Sequence, residues 1–157
     1  MDVLVVGCGG QGSSHALAAA RLPEVRLVGL VDPNRENREG LAARVGNPPG
    51  FAEFSEALAA TRPGAVLIST WPETHAAYAI QALEAGAHVF VEKPLAPTVA
   101  EAEAVVAAAH RADRQLYIGY ILRSSPAWGR FIEAAQALGK PLVMRMNLNQ
   151  QSSGDAW

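Results

Sequence analysis

Three glycines near the start of the chain, Gly7, Gly9 and Gly12, follow four apolar residues in the spacing G-x-G-x-x-G. The residues from Ser13 to Ala20 then have the composition of a helix. In a strand–turn–helix unit the first glycine permits a tight turn, the second lets the backbone approach a ligand, and the third lets helix and strand pack closely. The helix N-terminus presents unpaired N–H groups to an anion. This stretch predicts a pyrophosphate site, although glycines in this spacing also serve ordinary turns.

An acidic residue, Asp32, stands twenty residues after Gly12, at the end of a second apolar run that begins at Val25. A carboxylate at this place can accept hydrogen bonds from both hydroxyls of an adenosine ribose and would repel a 2′-phosphate. The alternative is an aspartate that only caps the turn at Pro33. Arg35 is close enough in sequence to accommodate a 2′-phosphate. The pattern therefore favours NAD as the cofactor and leaves NADP possible.

The elements that would position these residues alternate between strand and helix. Short apolar runs predict buried strands at residues 3–6, 25–32, 65–70, 88–91 and 116–120. The predicted helices are one capped by Asn34 and ending near Gly46, a short one before Thr61 capped by Ser55, one from Thr74 to Ala85, and one opened by a Thr98–Glu101 capping box. This alternation is typical of an α/β fold with a doubly wound, Rossmann-type parallel sheet.

Ligands of such a sheet bind beyond the carboxyl ends of its strands. Besides the glycine loop and Asp32, the predicted strand ends carry Ser69-Thr70-Trp71-Pro72, Glu92-Lys93-Pro94 and Tyr120 followed by Arg123. Most of these ends therefore place polar or charged groups where a dinucleotide would lie. The sequence predicts a binding site along this edge.

The pattern changes after Tyr120. Residues 125–138 are predicted to be helical with an interruption at Gly129, and from Leu142 to Asn149 apolar and polar residues alternate strictly. Strict alternation predicts a half-solvated strand of an antiparallel sheet, which needs neighbouring strands. We therefore expect a dinucleotide-binding domain over residues 1–122. Residues 123–157 are expected to begin a C-terminal substrate and oligomerisation domain that is truncated.

The composition excludes several classes of protein. Among 157 residues, 13 Lys and Arg stand against 15 Asp and Glu, so the net charge of −2 offers no basic field to nucleic acid or membrane. No apolar run is long enough to cross a bilayer. The single cysteine, Cys8, favours a reducing cytoplasm and is predicted to be a small buried residue. No second ligand stands at zinc-like spacing from His75, so no metal site is predicted.

Several stretches resemble the glucose–fructose oxidoreductase, inositol dehydrogenase and rhizopine-catabolism (Gfo/Idh/MocA) family. The matching stretches, in chain order, are Gly7–Gly12, Val31–Pro33, Ser69–His75, Ala85–Ala96, and Gly119–Tyr120 with Arg123 and Pro126. The run from Ala85 into Glu92-Lys93-Pro94-Leu95 is the most specific of them. The resemblance covers nearly the whole chain and implies an NAD(P)-dependent oxidoreductase.

The resemblance also implies roles for single residues. Lys93 matches the family lysine near nicotinamide and substrate, where an ammonium can stabilise developing oxyanion charge. Without the resemblance, Lys93 would be a surface lysine in a strand-end loop. Glu92 is expected to contact the nicotinamide-side ribose or to hold the lysine, and a solvated charge is an equal alternative. His75 is expected to start a helix and pack near the cofactor. Tyr120 and Arg123 are expected either to shape the nicotinamide end of the cleft or to pack between domains.

Lys93 is thus the predicted catalytic residue. The residues predicted to contact the cofactor are Gly7, Gly9, Gly10, Gln11, Gly12, Asp32, Arg35, Thr70, Trp71, Pro72, His75, Glu92, Lys93, Tyr120 and Arg123. For Trp71 an ordinary packing role is an equal alternative. Glu73 departs from the asparagine often found there in the family, which leaves the local hydrogen bonding open.

The full-length protein is expected to pass hydride between nicotinamide and a hydroxyl-bearing carbon of a sugar, polyol or related metabolite, as a cytoplasmic homo-oligomer. The family's aspartate–histidine pair is not in this sequence, so the present chain is expected to turn over little. One alternative is a non-catalytic NAD(H)-binding sensor or regulatory module, although the Glu92-Lys93 pair argues against it. Another is a short protein that dimerises through Leu142–Leu148.

Overall fold

Six parallel strands form one sheet in the computed structural model, which describes residues 1–140 together with Val143 and Arg145. The strands are β1 (Asp2–Val6), β2 (Arg26–Val31), β3 (Gly50–Phe51), β4 (Ala65–Ile68), β5 (His88–Val91) and β6 (Leu116–Ile118). Their order in the sheet is β3-β2-β1-β4-β5-β6, and every pairing is parallel. The winding direction reverses between β1 and β4, which opens a crevice at the carboxyl ends of these strands. The predicted doubly wound α/β fold is confirmed.

Helices connect the strands. They are α1 (Gly10–Ala19), α2 (Arg35–Ala42), α3 (Phe54–Thr61), α4 (Pro72–Glu84), α5 (Val99–Ala112) and α6 (Pro126–Ala137), with a short 3-10 helix at Ile121–Ser124. The Asn34 side chain caps α2 by accepting the N–H groups of Glu36 and Asn37, as predicted. The predicted capping box between Thr98 and Glu101 is also present at α5.

Some local predictions were wrong. Ser55 does not cap α3 but lies inside it, one residue after Phe54. Phe54 is 3% exposed and packs against the ring of Tyr78, with centroids 4.8 Å apart, so burial of its ring sets where the helix begins. Helix α2 ends at Ala42, before the predicted limit. The last strand of the sheet ends at Ile118, two residues before the predicted end at Tyr120.

The core lies on both faces of the sheet. Side chains alternate along β1, so Leu4 and Val6 join one cluster and Val5 joins the other. The larger cluster contains buried side chains of α3, α4 and α5, and the smaller contains Ala16 of α1 and Leu41 of α2. Strands buried on both faces explain why their sequences are almost continuously apolar.

The chain divides into two units, residues 1–120 and residues 121–157. The first contains the sheet and both core clusters. In the second, α6 runs through Gly129, so the predicted interruption there is wrong; the Gly129 N–H keeps its helical bond to the Ser125 carbonyl at 3.0 Å. None of the described residues of α6 is buried, and the rings of Trp128 and Phe131 meet edge to face at 5.5 Å. The predicted strand at Leu142–Asn149 falls outside the described residues except for positions 143 and 145, so it stays a prediction, as does the assignment of a second domain.

Candidate functional site

The glycine loop fits closely against β4 and α1. Gly7 has a φ of +89°, and a Cβ there would lie 2.5 Å from the carbonyl oxygen of Ser69. A Cβ on Gly12 would overlap the carbonyl oxygen of Gly7. Gly9 and Gly10 instead have open space where a Cβ would be. The turn therefore requires glycine at position 7, and the close packing of helix and strand requires it at position 12. Gly9 leaves room for a ligand to approach the backbone, as the spacing predicts.

Helix α1 begins directly after this loop without a side-chain cap or an acidic residue in its first turn. The N–H of Ser13 donates to the carbonyl of Gly9 at 2.8 Å, which is the first bond of the helical ladder. The amides of Gly10, Gln11 and Gly12 precede it and have no helical acceptor. Such a terminus supplies N–H donors and positive dipole charge to an anion.

The Asp32 carboxylate joins the end of β2 to the glycine loop. Its Oδ2 accepts the N–H of Cys8 at 2.8 Å, and its Oδ1 accepts the N–H of Asn34 at 2.9 Å. Each oxygen keeps a further lone pair for another donor. Asp32 can therefore accept hydroxyl groups of a ligand while it also fixes the loop.

A cavity of about 490 Å³ lies at this crevice, a volume typical of a small-molecule site. The predicted cofactor-contacting residues in its lining are Gly7, Gly9, Gln11, Asp32, Thr70 and Trp71. Ser69, which the sequence places at this strand end without naming it as a cofactor contact, also lines the cavity, and sequence reasoning missed Asn37 and Tyr78. The donors of the glycine loop, the acceptors of Asp32 and the cavity between them fit a dinucleotide.

The two arginines after β2 have different surroundings. Arg35 is exposed and forms an ion pair with Glu39, one turn further along α2, at 2.7 Å. Arg38 instead donates through Nη1 to the backbone carbonyl of Asp32. The structure thus places Arg38, which was not predicted, against the acidic residue, and Arg35 outside the cavity lining. The i+3 spacing on one helix is the signal that could have indicated Arg38 as well as Arg35.

The loop after β4 carries a chain of hydroxyl groups. The hydroxyl of Thr74 donates to the carbonyl of Trp71 at 2.9 Å, so the 2.7 Å bond between Thr70 and Thr74 uses the proton of Thr70. Thr70 can therefore only accept a hydrogen bond from a ligand. The Trp71 ring is 76% exposed, and Pro72 occupies the first turn of α4, where a missing N–H costs nothing.

His75 is buried, with 1% of its surface exposed. Its Nδ1 lies 2.6 Å from the carbonyl oxygen of Pro94, and its Nε2 lies 3.1 Å from the carbonyl oxygen of Thr70. The imidazole thus bridges the loop after β4 to the loop that follows Lys93. This geometry makes His75 a residue that positions the backbone.

Lys93 is exposed at the carboxyl end of β5, next to Glu92. The Glu92 carboxylate accepts the backbone N–H of Lys93 at 3.1 Å and lies 2.8 Å from Nε2 of His15. The His15 ring also packs edge-on against Phe90, with centroids 5.0 Å apart. His15 lies three residues after Gly12 and was missed, because no local pattern indicates a partner 77 residues away.

Tyr120 and Arg123 belong to different units of the chain. Tyr120 is 44% exposed at the end of the first unit, and Arg123 lies in the short 3-10 helix of the second. Their predicted role at the nicotinamide end of a cleft stays a prediction.

Burial dominates the electrostatics of the glycine loop. The thiol of Cys8 is 4% exposed and donates to the carbonyl of Val31 at 3.6 Å. Burial and the nearby Asp32 carboxylate raise the pKa of this thiol from 9.0 to about 12. Cys8 is therefore a small buried residue, as predicted.

Two further findings concern the described part of the chain. Across residues 1–140, Val143 and Arg145, no three His, Cys, Asp or Glu side chains are grouped so that they could hold a metal ion. Among these residues, no helix is long and apolar enough to span a membrane.

Comparison with known proteins gives one family. Residues 1–120 match the family described as "Oxidoreductase family, NAD-binding Rossmann fold" (GFO_IDH_MocA). An inositol 2-dehydrogenase of Paracoccus denitrificans (strain Pd 1222) is 32% identical over 150 residues, which cover 92% of this chain and 44% of that protein. A 4-carboxy-2-hydroxymuconate-6-semialdehyde dehydrogenase of Sphingobium sp. (strain NBRC 103272 / SYK-6) is 29% identical over 94% of this chain and 47% of that protein. The chain spans about half the length of these curated relatives.

Solved structures similar to this chain were also found. The UDP-N-acetylglucosamine 3-dehydrogenase GnnA from Acidithiobacillus ferrooxidans has a TM-score of 0.75 and 34% identity, over 85% of this chain and 41% of that one. GenD2 from gentamicin A biosynthesis, solved in complex with NAD, has a TM-score of 0.78 and 32% identity, over 88% of this chain and 39% of that one.

Proposed function

Because the chain belongs to the Gfo/Idh/MocA oxidoreductase family with an NAD-binding Rossmann fold, we propose that it is the cofactor-binding part of a dehydrogenase. The reaction proposed is hydride transfer between nicotinamide and a hydroxyl-bearing carbon of a sugar, polyol or related metabolite. Relatives named inositol 2-dehydrogenase and UDP-N-acetylglucosamine 3-dehydrogenase support this class of substrate. The proposal depends on one observation: the Asp32 carboxylate accepts a hydrogen bond from the glycine loop, and both line the same cavity.

The residues divide the binding of the dinucleotide between them. The first amides of α1 and the backbone at Gly9 would receive the pyrophosphate, and Asp32 would accept the hydroxyls of the adenosine ribose. Thr70 would accept a further hydroxyl, since its own proton is committed to Thr74. The same carboxylate disfavours a 2′-phosphate, so NAD is the preferred cofactor.

The reactive end is assigned to Glu92 and Lys93. Bound NAD supplies a hydride acceptor at nicotinamide C4. The ammonium of Lys93 would hold the substrate oxygen and stabilise negative charge that develops on it. The Glu92 carboxylate accepts a hydrogen bond from the backbone N–H of Lys93, and the His15 ring contacts the other carboxylate oxygen. These contacts support Lys93 as the catalytic residue and the two others as residues that orient it.

Since the chain spans about half of its relatives, the substrate-reading residues are assigned to a second domain that residues 123–157 begin. A homo-oligomer in the cytoplasm is the state proposed for the full-length protein. The coding sequence after Trp157 tests this part. An in-frame aspartate–histidine pair in a second domain is the expected result, and a stop codon at that point would contradict it.

The cofactor proposal is tested by titrating NADH and NADPH against the 157-residue chain, with fluorescence of the reduced nicotinamide as the signal. NADH is expected to bind more tightly, because Asp32 repels a 2′-phosphate. Asp32→Asn should weaken NADH binding by about tenfold and reduce the preference over NADPH, since one hydrogen bond to the loop or ribose and the negative charge are lost.

The matched control is Asp113→Asn, an exposed position with a φ of +51° that asparagine tolerates. It should leave both affinities unchanged. A wild-type chain that binds neither nucleotide, or an Asp32→Asn chain with unchanged affinities, would contradict the proposal.

A further inference from the structure

Ser69 stands directly after β4 and is held between two glycines of the loop. Its N–H donates to the carbonyl of Val6 at 2.8 Å, and its carbonyl oxygen occupies the space beside Gly7. Its Cβ lies 3.5 Å from where a Cβ on Gly12 would be. The backbone of Ser69 is therefore fixed, and rotation about χ1 is the freedom that remains to its side chain.

The Ser69 hydroxyl is buried and has no hydrogen-bond partner among the described residues. Buried hydroxyl groups in folded proteins are nearly always paired, because an unpaired one loses its hydration without compensation. Yet Ser69 also lines the cavity next to Gly7 and Asp32.

The neighbouring hydroxyl groups have already committed their protons. Ser13 and Ser14 each donate to a backbone carbonyl of the glycine loop, both at 3.0 Å. Thr70 donates to Thr74, as described above. Phosphate oxygens only accept hydrogen bonds, so a hydroxyl can add to the backbone amides of the loop only if its proton is available. The proton of the Ser69 hydroxyl has no acceptor among the described residues.

We propose that Ser69 is a further cofactor-binding residue, whose hydroxyl turns towards the cavity and donates a hydrogen bond to a pyrophosphate oxygen of the dinucleotide. The inference rests on the proposed NAD site and adds a side-chain donor to the backbone amides of the loop. It also explains why a buried hydroxyl without a partner stands at this position.

The test compares wild type with Ser69→Ala and Ser69→Cys in the 157-residue chain. Cysteine keeps the size of the side chain but is a weak donor. Binding of NADH is followed by fluorescence and binding of ADP-ribose by calorimetry, and Tm is measured without nucleotide. Both variants should raise the Kd for NADH and for ADP-ribose by about tenfold, equal to about 1.4 kcal/mol. The Tm of Ser69→Ala without nucleotide should equal or exceed that of wild type, because an unpaired buried hydroxyl has been removed.

Ser55→Ala is the matched control, since Ser55 is exposed on α3, and it should leave both affinities unchanged. Unchanged NADH affinity in Ser69→Ala would overturn the inference and leave the proposed function standing. A lower Tm without nucleotide would also overturn it, because the hydroxyl would then be structural. Weaker NADH binding with unchanged ADP-ribose binding would refute the pyrophosphate contact. A wild-type chain that binds no NADH would overturn the proposed function and this inference together.

Discussion

Gly12 and Gly10 show how differently two glycines of one loop depend on the missing side chain. At Gly12 the first residues of α1 pass so close to the carbonyl of Gly7 that a methyl group would overlap it. At Gly10 the same methyl group would meet nothing within 4 Å. The G-x-G-x-x-G spacing requires glycine at position 12 and allows any residue at position 10, in agreement with the space that the structure leaves at each.

Gly12→Ala should therefore destabilise the chain by about 3 kcal/mol, the upper range for overpacking, because the clash is with rigid backbone. Gly10→Ala should leave stability unchanged or slightly higher, since alanine favours a helix. Urea unfolding followed by circular dichroism measures both. Equal stability of the two variants would contradict the close packing described at Gly12.

Cys8 gives the chain a predictable dependence on alkaline pH. The pKa of its thiol is about 12 in the folded chain and 9.0 is its ordinary value, so above pH 9 the unfolded chain loses a proton that the folded chain keeps. The stabilisation by the buried thiol is complete below pH 9 and declines as pH rises from 9 to 12. By pH 10 the loss should be about 1.4 kcal/mol.

This loss is measured by urea unfolding at pH 8 and pH 10 in wild type and in Cys8→Ala. The variant removes the titrating group, so its stability should fall less between these pH values than that of wild type. Parallel pH profiles of the two chains would show that Cys8 ionises equally in the folded and unfolded states.

At the level of elements, the loops after β4 and β5 are joined by one side chain. The His75 imidazole lies at hydrogen-bond distance from a carbonyl in each loop while being 1% exposed. The first turn of α4 thereby fixes the backbone just beyond Lys93. A helix that covers the sheet thus also orders two loops of the site.

His75→Ala should destabilise the chain by about 3 kcal/mol, because it leaves a cavity and at least one buried carbonyl without a donor. His110→Ala, at an exposed position near the end of α5, is the control and should change stability by less than about 0.5 kcal/mol. Thermal unfolding measures both. A loss at His75 no larger than at His110 would contradict the bridge between the two loops.

Elements were predicted well where one local pattern decides them. Buried parallel strands are short apolar runs, and the caps at Asn34 and Thr98 need only neighbouring residues. The start of α3 was wrong, because the burial of Phe54 against Tyr78 outweighs the capping preference of Ser55. Contacts of that kind depend on how elements pack, which local sequence patterns do not report.

At the level of the whole molecule, the site residues were likewise predicted where a local sequence pattern indicates them. Glycine spacing and strand-end chemistry were enough to predict Gly7, Gly12 and Asp32 near one another. His15 was missed because its partner Glu92 lies 77 residues away in the sequence. Arg38 lies only six residues from Asp32, but its contact is to a backbone carbonyl, which side-chain chemistry in the sequence does not indicate. The family match and the contact pattern both set residues 1–120 apart as one unit.

The two hydrogen bonds that the Asp32 carboxylate accepts limit how cofactor preference can evolve in this protein. The carboxylate that would select against a 2′-phosphate is also the acceptor for the Cys8 amide of the glycine loop. Replacing Asp32 by a residue without a side-chain acceptor would therefore remove the repulsion of a 2′-phosphate and also leave the Cys8 amide without its partner. Residues that remove the negative charge but keep a side-chain oxygen, such as asparagine, serine or threonine, can change the coenzyme preference while an acceptor for that amide remains.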